Sequence, residues 1–445
     1  MKNGVKVRIQ PVTLEPTRIG VGRAVMAEEA WAHGPAKPRD VKRSEEVPPE
    51  PVDLGSLAQR YDFIEVLPSR RVGKVSDIDE LPRDVSAYLV EGSNFGLLGE
   101  LCKLGKPILT SWDSFGYSWG GRFIREFVEE TDAVCFVPFD AEDVKRILRV
   151  LRSIAFLRDL RSLYIGDIPS HSVRNASYDF DDMQRRLGVR FHQISMEEFE
   201  RAVEEADKGK AEEVARRWAE DAELLDGRGE RLTEYAKIYL GLKDLLQRYD
   251  ANGITMDCAY LKSVELVPCY SFAQLIDEGI PSGCEGDTSA LISMAILMGL
   301  SGEAALMGNL FANTTHEDIE NNIIVINHDV VPPSMAGKGK RMKLRDFHAT
   351  GKGLTGFVEL EEGREVTVVG MDRNARRLWC CEGEVVWTED TVHCRTSIGV
   401  RVRDAKRIGR ESFGHHQALA YGNWTEELKM LGRILKIEVR CLSED

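Results

Sequence analysis

No stretch of this chain approaches the roughly 18–20 consecutive apolar residues needed to span a bilayer. The longest apolar-rich segment, residues 290–300, is interrupted by Ser293 and Gly299. The opening MKNGVKVRIQPV lacks the apolar core and small-residue cleavage site of a secretory signal, so a cytoplasmic protein is expected. No CxxC pair occurs among the nine cysteines. An odd number scattered over a long chain reads as reduced, buried thiols, which disfavours a disulfide framework, a zinc ribbon or a thioredoxin-type site. No complete GxGxxG or GxxxxGK[ST] stands where a strand hands over to a helix, so a nucleotide cofactor has little support. Positive charge is also short, with 59 basic against 73 acidic residues and a formal net charge of −14. Such a surface repels phosphate backbones, which argues against nucleic acid and membrane and leaves small molecules as the expected partners.

What is present is a repeating rhythm. A chain of 445 residues exceeds what one core accommodates, so two or three domains are expected. Short apolar runs of the buried-strand kind fall at 5–9, 63–67, 87–90, 107–109 and 133–137. Segments with helical spacing, such as 96–104 and 123–130, lie between them, and this alternation predicts parallel strands with covering helices. Residues 35–51, rich in proline and charge, predict a long surface excursion. The rhythm resumes with strands at 163–166, 189–192 and 253–256, a strongly helical stretch over 196–247 and a mostly apolar helix over 289–299. Beyond about residue 330 β-formers dominate. Runs at 357–360, 365–369, 377–380, 384–387 and 398–402 predict an antiparallel sheet or small barrel, followed by a helix over 424–434 and a last strand at 436–440. The fold class is α/β: two open parallel-sheet, Rossmann-like domains (1–158 and 159–300), then a β-rich, barrel-like domain (301–445).

Three segments place polar groups where burial or a tight turn is predicted. In Gly283-Cys284-Glu285-Gly286-Asp287 the flanking glycines free the backbone to turn sharply and send a carboxylate into a cleft. Asp287 or Thr288 is also suited to cap the apolar helix that follows. In the run from Ile323 to Asp329, apolar residues end in Asn327-His328-Asp329, and α/β folds gather ligand sites at the carboxyl ends of strands. The third segment is Gly414-His415-His416-Gln417, followed by Tyr421-Gly422-Asn423-Trp424. One carboxylate, an amide or a second carboxylate, and one or two imidazoles suit Mn²⁺, Fe²⁺, Co²⁺ or Mg²⁺ better than structural zinc.

The segment opening at Cys284 resembles the metal-binding region of the L-fucose isomerases, in which an aspartate follows the glutamate by 24 residues. His416 and the small and apolar residues up to Gly422 resemble that family's closing motif. His415-His416 is also similar to the double histidine of the L-arabinose isomerases, and His328 falls where those enzymes have another metal histidine. The resemblance implies Glu285, His328 and His416 as ligands of a manganese or similar divalent ion. The remaining ligand position is Asn309, which offers a carbonyl oxygen but no charge and no acid–base function near neutral pH.

The activity implied is aldose–ketose isomerisation of an open-chain sugar through a cis-enediol. Glu285 is the expected base, with Asp287 and Asp329 as stand-ins for the second proton-transfer group. Trp112, Trp119, Arg395, His415 and Asn423 are expected to contact the sugar. Family members are oligomers in which one subunit's N-terminal domain closes another's site, so a trimer or hexamer is expected, with Trp112 and Trp119 acting in trans. Related epimerase or lyase chemistry on a modified sugar, and a non-catalytic sugar-binding protein, stay open as alternatives.

Overall fold

The computed structural model describes residues 4–15, 61–92, 94–110, 120–225 and 228–444. The excursion read at 35–51 lies outside the described residues, as do Trp112 and Trp119. The chain divides into two compact units, Lys6–Leu151 and Arg152–Asp445.

In the first unit, β1 (Val7–Leu14), β2 (Ile64–Val66), β3 (Arg70–Val72), β4 (Ala87–Glu91), β5 (Ile108–Leu109) and β6 (Cys135–Phe136) form one parallel sheet. The order is β2-β1-β4-β5-β6, with β3 also paired to β1. Val12, Leu14, Tyr88, Val90 and Ile108 pack with Leu98, Ile124 and Val128 from its helices, so the apolar runs read from sequence form this core.

The second unit holds another parallel sheet and a barrel. The parallel sheet takes β7 (Arg161–Ile165), β8 (Arg190–Ile194), β10 (Gly253–Met256) and β11 (Ser282–Gly283) in the order β11-β10-β7-β8. The helical stretch read over 196–247 is three helices, Met196–Glu204, Lys208–Asp221 and Leu232–Arg248. Asp207 divides the first two because its carboxylate caps the second, accepting from the Lys210 amide at 2.7 Å. A short strand between the second and third of these helices, β9 (Glu223–Leu224), joins β14 (Lys343–Phe347) and β15 (Lys352–Phe357) in a three-stranded sheet.

The C-terminal β-formers close on themselves. β12 (Leu306–Leu310), β13 (Ile323–His328), β16 (Glu365–Met371), β17 (Arg377–Asp390), β18 (Thr396–Arg401) and β19 (His416–Tyr421) pair in the cycle β16-β19-β12-β13-β18-β17-β16. Every pairing in the cycle is antiparallel, so the structure is a six-stranded barrel, and β20 (Glu438–Cys441) adds to β17 in parallel. The runs 377–380 and 384–387 are one strand of 14 residues, not two. Gly383 between them marks close backbone approach, because a Cβ there would meet the Arg401 carbonyl oxygen at 2.6 Å.

The helix Thr288–Ser301 is apolar all round, and the structure buries every residue from Thr288 to Leu300. Burial on all sides stabilises by roughly 1.5–3 kcal/mol for each large aliphatic chain. At Gly299 a Cβ would lie 2.6 Å from the Cα of Ser153, in the helix Ala141–Asp159, so only glycine permits that helix contact. Ser153 Oγ donates to the Ile296 carbonyl at 2.8 Å and locks the crossing. This buried rod fixes the position of the loop at its N-terminus. Among the described residues no helix is long and apolar enough to cross a membrane.

Candidate metal centre

The loop between β11 and the buried helix emerges at the carboxyl edge of the parallel sheet. Glu285 occupies the left-handed region at φ 58° and Gly286 follows at φ 67°. A non-glycine residue held there costs on the order of 1–3 kcal/mol and persists only where surroundings dictate it. They do here. Ser170 Oγ donates to the Glu285 carbonyl at 2.6 Å, the Gly286 amide donates to the Met256 carbonyl at 2.8 Å, and Tyr178 donates to the Gly286 carbonyl at 3.1 Å.

The barrel supplies two imidazoles. His328 ends β13 and His416 opens β19, and their ring centroids are 5.3 Å apart. Glu285, His328 and His416 each offer a ligand atom within 4.8 Å of the others. The Glu285 Oε1 lies 3.8 Å from His416 Nε2, and its Oε2 lies 4.0 Å from His415 Nε2. The His416 side chain is wholly buried while Glu285 keeps 31% of its side chain exposed, so the cluster is reached over the carboxylate.

The donors fit a cation. Both ring nitrogens of His328 and the Nε2 of His416 are buried and make no hydrogen bond. Orphaned buried donors and acceptors of this kind are costly unless something binds them. His416 Nδ1 is 3.0 Å from Asp287 Oδ2, an arrangement that keeps a proton on Nδ1 and makes Nε2, facing Glu285, the nitrogen a cation would take in place of the second proton. Burial works against the Glu285 charge, yet the neighbouring histidines, His416 foremost, outweigh it and hold the carboxyl down at about 2. Burial also opposes the charge on His416, but the Asp287 hydrogen bond and the facing Glu285 carboxylate raise it to about 9. Burial and then the His416 charge lower His328 to about 4.

The other residues singled out from sequence have definite places. Asn309 in β12 is half-buried and stands in register with His416 of β19 and with Asn327 of β13. Asp287 is the helix N-cap, its Oδ1 accepting from the Ala290 amide at 2.9 Å while Oδ2 holds His416. Asp329 is likewise engaged at both oxygens, with His348 Nδ1 at 2.6 Å and the Arg395 amide at 2.7 Å. The Arg395 guanidinium is bound to Asp346 and the Thr391 carbonyl. Asn423 lies beyond the other end of β19, roughly 17 Å along the strand from His416 at the usual rise. There its Oδ1 accepts from the Thr425 hydroxyl at 2.8 Å, so it does not meet the cluster.

Sequence reasoning missed the pairs around this centre. Asp257, wholly buried at the end of β10, holds His171 Nδ1 at 3.0 Å, and His348 and Cys394 stand beside Asp329. His348 follows β14, whose Lys-Leu-Arg-Asp-Phe carries no apolar run to flag a strand end.

Residues 173–301 match the family model of the L-arabinose isomerase central domain. The chain is 26% identical over 314 residues to the sulfoquinovose isomerases of Priestia aryabhattai and Priestia megaterium, covering 67% of this chain and 68% of each relative. It is 23% identical over 316 residues to the sulfoquinovose isomerase of Alkalicoccus urumqiensis, covering 68% of this chain and 70% of that one. These similarities support an isomerase enzyme of an arabinose/fucose-isomerase-like superfamily.

Proposed function

We propose that this isomerase is a metal-dependent aldose–ketose isomerase that moves a proton between adjacent carbons of an open-chain sugar. The observation that carries this reading is the convergence of Glu285, His328 and His416, from three distant parts of the chain, within one 4.8 Å cluster. Glu285, His328 and His416 would hold the ion, with Asn309 in register with His416. When bound, a divalent ion such as Mn²⁺ there supplies Lewis acidity that polarises the sugar carbonyl and acidifies the neighbouring C–H.

The protein's own part is proton movement. Glu285, ionised throughout the neutral range, takes the C2 proton and leaves a cis-enediol. Because Asp287 and Asp329 are each engaged at both oxygens, Glu285 itself delivers a proton to C1 on the same face, giving the ketose, after its part-exposed carboxyl has exchanged the C2 proton with solvent. Burial, followed by the nearby His416 charge, keeps His415 below its ordinary value and neutral near pH 7. It stands 4.0 Å from the second Glu285 oxygen, where it is suited to pass the hydroxyl proton between O1 and O2.

The test is an assay of the manganese-loaded protein on a panel of aldoses, with sulfoquinovose, the sugar in its relatives' names, among them. Run in D₂O, the reaction should place deuterium at C1 of a ketose product. Exchange at C2 without a ketose would mark epimerisation, and no exchange with any sugar would overturn the proposal.

A further inference from the structure

Beside the first cluster, and sharing no residue with it, stands a second group of donors. Asp329 directly follows β13, His348 directly follows β14, and Cys394 lies just ahead of β18. Their ligand atoms also fall within 4.8 Å of one another. Asp329 is 3% exposed, and His348 and Cys394 are half-buried, so the group sits in a shielded recess.

The recess is built. Arg395 is itself 8% exposed and binds the Asp346 carboxylate and carbonyl, tying the turn before β18 to the end of β14. The Thr391 hydroxyl donates to the Cys394 carbonyl at 2.9 Å and fixes the turn that carries the thiol. The Arg395 amide holds one Asp329 oxygen at 2.7 Å. Asp329 and the turn carrying Cys394 are therefore held by partners outside the group, and Asp329 in turn holds His348.

We propose that Asp329, His348 and Cys394 form a second cation site, selective for a thiophilic divalent ion such as Zn²⁺. The donor set decides the selectivity. The first cluster has carboxylate and imidazole only, whereas the second adds sulfur, and a thiolate favours zinc over Mn²⁺ or Mg²⁺. One carboxylate, one imidazole and one thiolate are three protein ligands of a tetrahedral ion, with the fourth position open. Bond lengths of about 2.0–2.3 Å place neighbouring ligands roughly 3.3–3.7 Å apart. The 2.6 Å contact between Asp329 and His348 then opens by under an ångström or so, and Cys394 closes in. Binding forms one bond from each donor to the ion, releases the thiol proton of Cys394 to solvent, and moves the proton shared by Asp329 and His348 Nδ1 to His348 Nε2. The site stands independently of the isomerase reading.

The experiment uses the full chain, stripped by a chelator and titrated with zinc chloride alone, with metal content measured after gel filtration. The unsubstituted protein is expected to keep two equivalents, and Cys394→Ser and His348→Ala one each. The variant His416→Ala, which disables the first cluster, is also expected to keep one. Loaded with Co²⁺, the protein is expected to show a thiolate-to-cobalt charge-transfer absorption that survives His416→Ala and disappears in Cys394→Ser. Full zinc stoichiometry in Cys394→Ser, or cobalt loading without that absorption, would overturn the site and leave a hydrogen-bonded Asp–His pair beside a bystander thiol. If Cys394→Ser does not fold, the cobalt spectrum of the unsubstituted protein and the His348→Ala stoichiometry decide.

Discussion

Asp287 Oδ2 lies 3.0 Å from Nδ1 of His416, with both side chains buried, and the same oxygen accepts from the His416 amide at 3.3 Å. The contact joins the first turn of the buried helix to the first residue of β19. It fixes which imidazole nitrogen carries the proton. In Asp287→Asn the helix cap survives, because asparagine caps as well as aspartate. The amide NH₂, however, turns a donor toward Nδ1, which forces the proton onto Nε2 and blocks the lone pair aimed at Glu285. Loss of such a supporting carboxylate weakens a metal site by about 10–100-fold. A manganese titration of Asp287→Asn should show that loss with an unchanged thermal melting profile; unaltered affinity would remove Asp287 from the positioning role.

Glu285→Gln removes the one carboxylate of the first cluster and keeps its size. Turnover should fall by at least about 10²–10⁴-fold, the usual contribution of a general base. Circular dichroism should stay that of the parent, since the loop is held by backbone contacts to Ser170 and Met256 and not by the carboxylate. Activity within tenfold of the parent would eliminate the proposed base.

Gly286 tests the loop itself. Its φ is 67°, and a Cβ there would meet the Tyr164 hydroxyl at 2.7 Å and the Ser170 Cβ at 3.0 Å. Gly286→Ala therefore combines left-handed strain with overlap, and a loss of roughly 1–3 kcal/mol is expected from the backbone alone. Urea unfolding should report it, together with weaker metal binding. A stability equal to the parent's would mean that the loop relaxes freely.

Much of this centre was legible because its residues break local patterns. Glu285 sits between glycines ahead of an apolar helix, and His328 ends a run of buried aliphatic residues. Those signals are local, and the strand periodicity that carried the two parallel sheets is local too. What could not be read is long-range pairing. Nothing local says that His416 begins a strand in register with Asn309, since that register belongs to the closed barrel. The same reason hid His348, which becomes significant only when the turn before β18 folds onto β14. Gly383 misled for a related cause, because a glycine that admits a neighbouring backbone looks in sequence like one that ends a strand.

Acid should weaken the barrel through Asp372. This carboxylate is 5% exposed and closes the turn between β16 and β17, accepting from the Arg376 amide at 2.8 Å, the Arg377 amide at 3.1 Å and the Arg377 Nε at 3.1 Å. Burial alone would raise its pKa, but those donors outweigh it and the folded value lies below the ordinary one. The unfolded chain therefore takes up the proton first as pH falls. Stability from Asp372 is complete above the unfolded value of about 3.9 and drains away below it, as pH drops toward the folded pKa. Asp372→Asn removes the charge at every pH and should cost about 1.5–3 kcal/mol at pH 7, the range for hydrogen bonds to a charged group. Denaturation midpoints of parent and variant, followed from pH 7 down to pH 3, should draw closer toward the acid end; curves that stay parallel throughout would show that the turn does not depend on the ionised carboxylate.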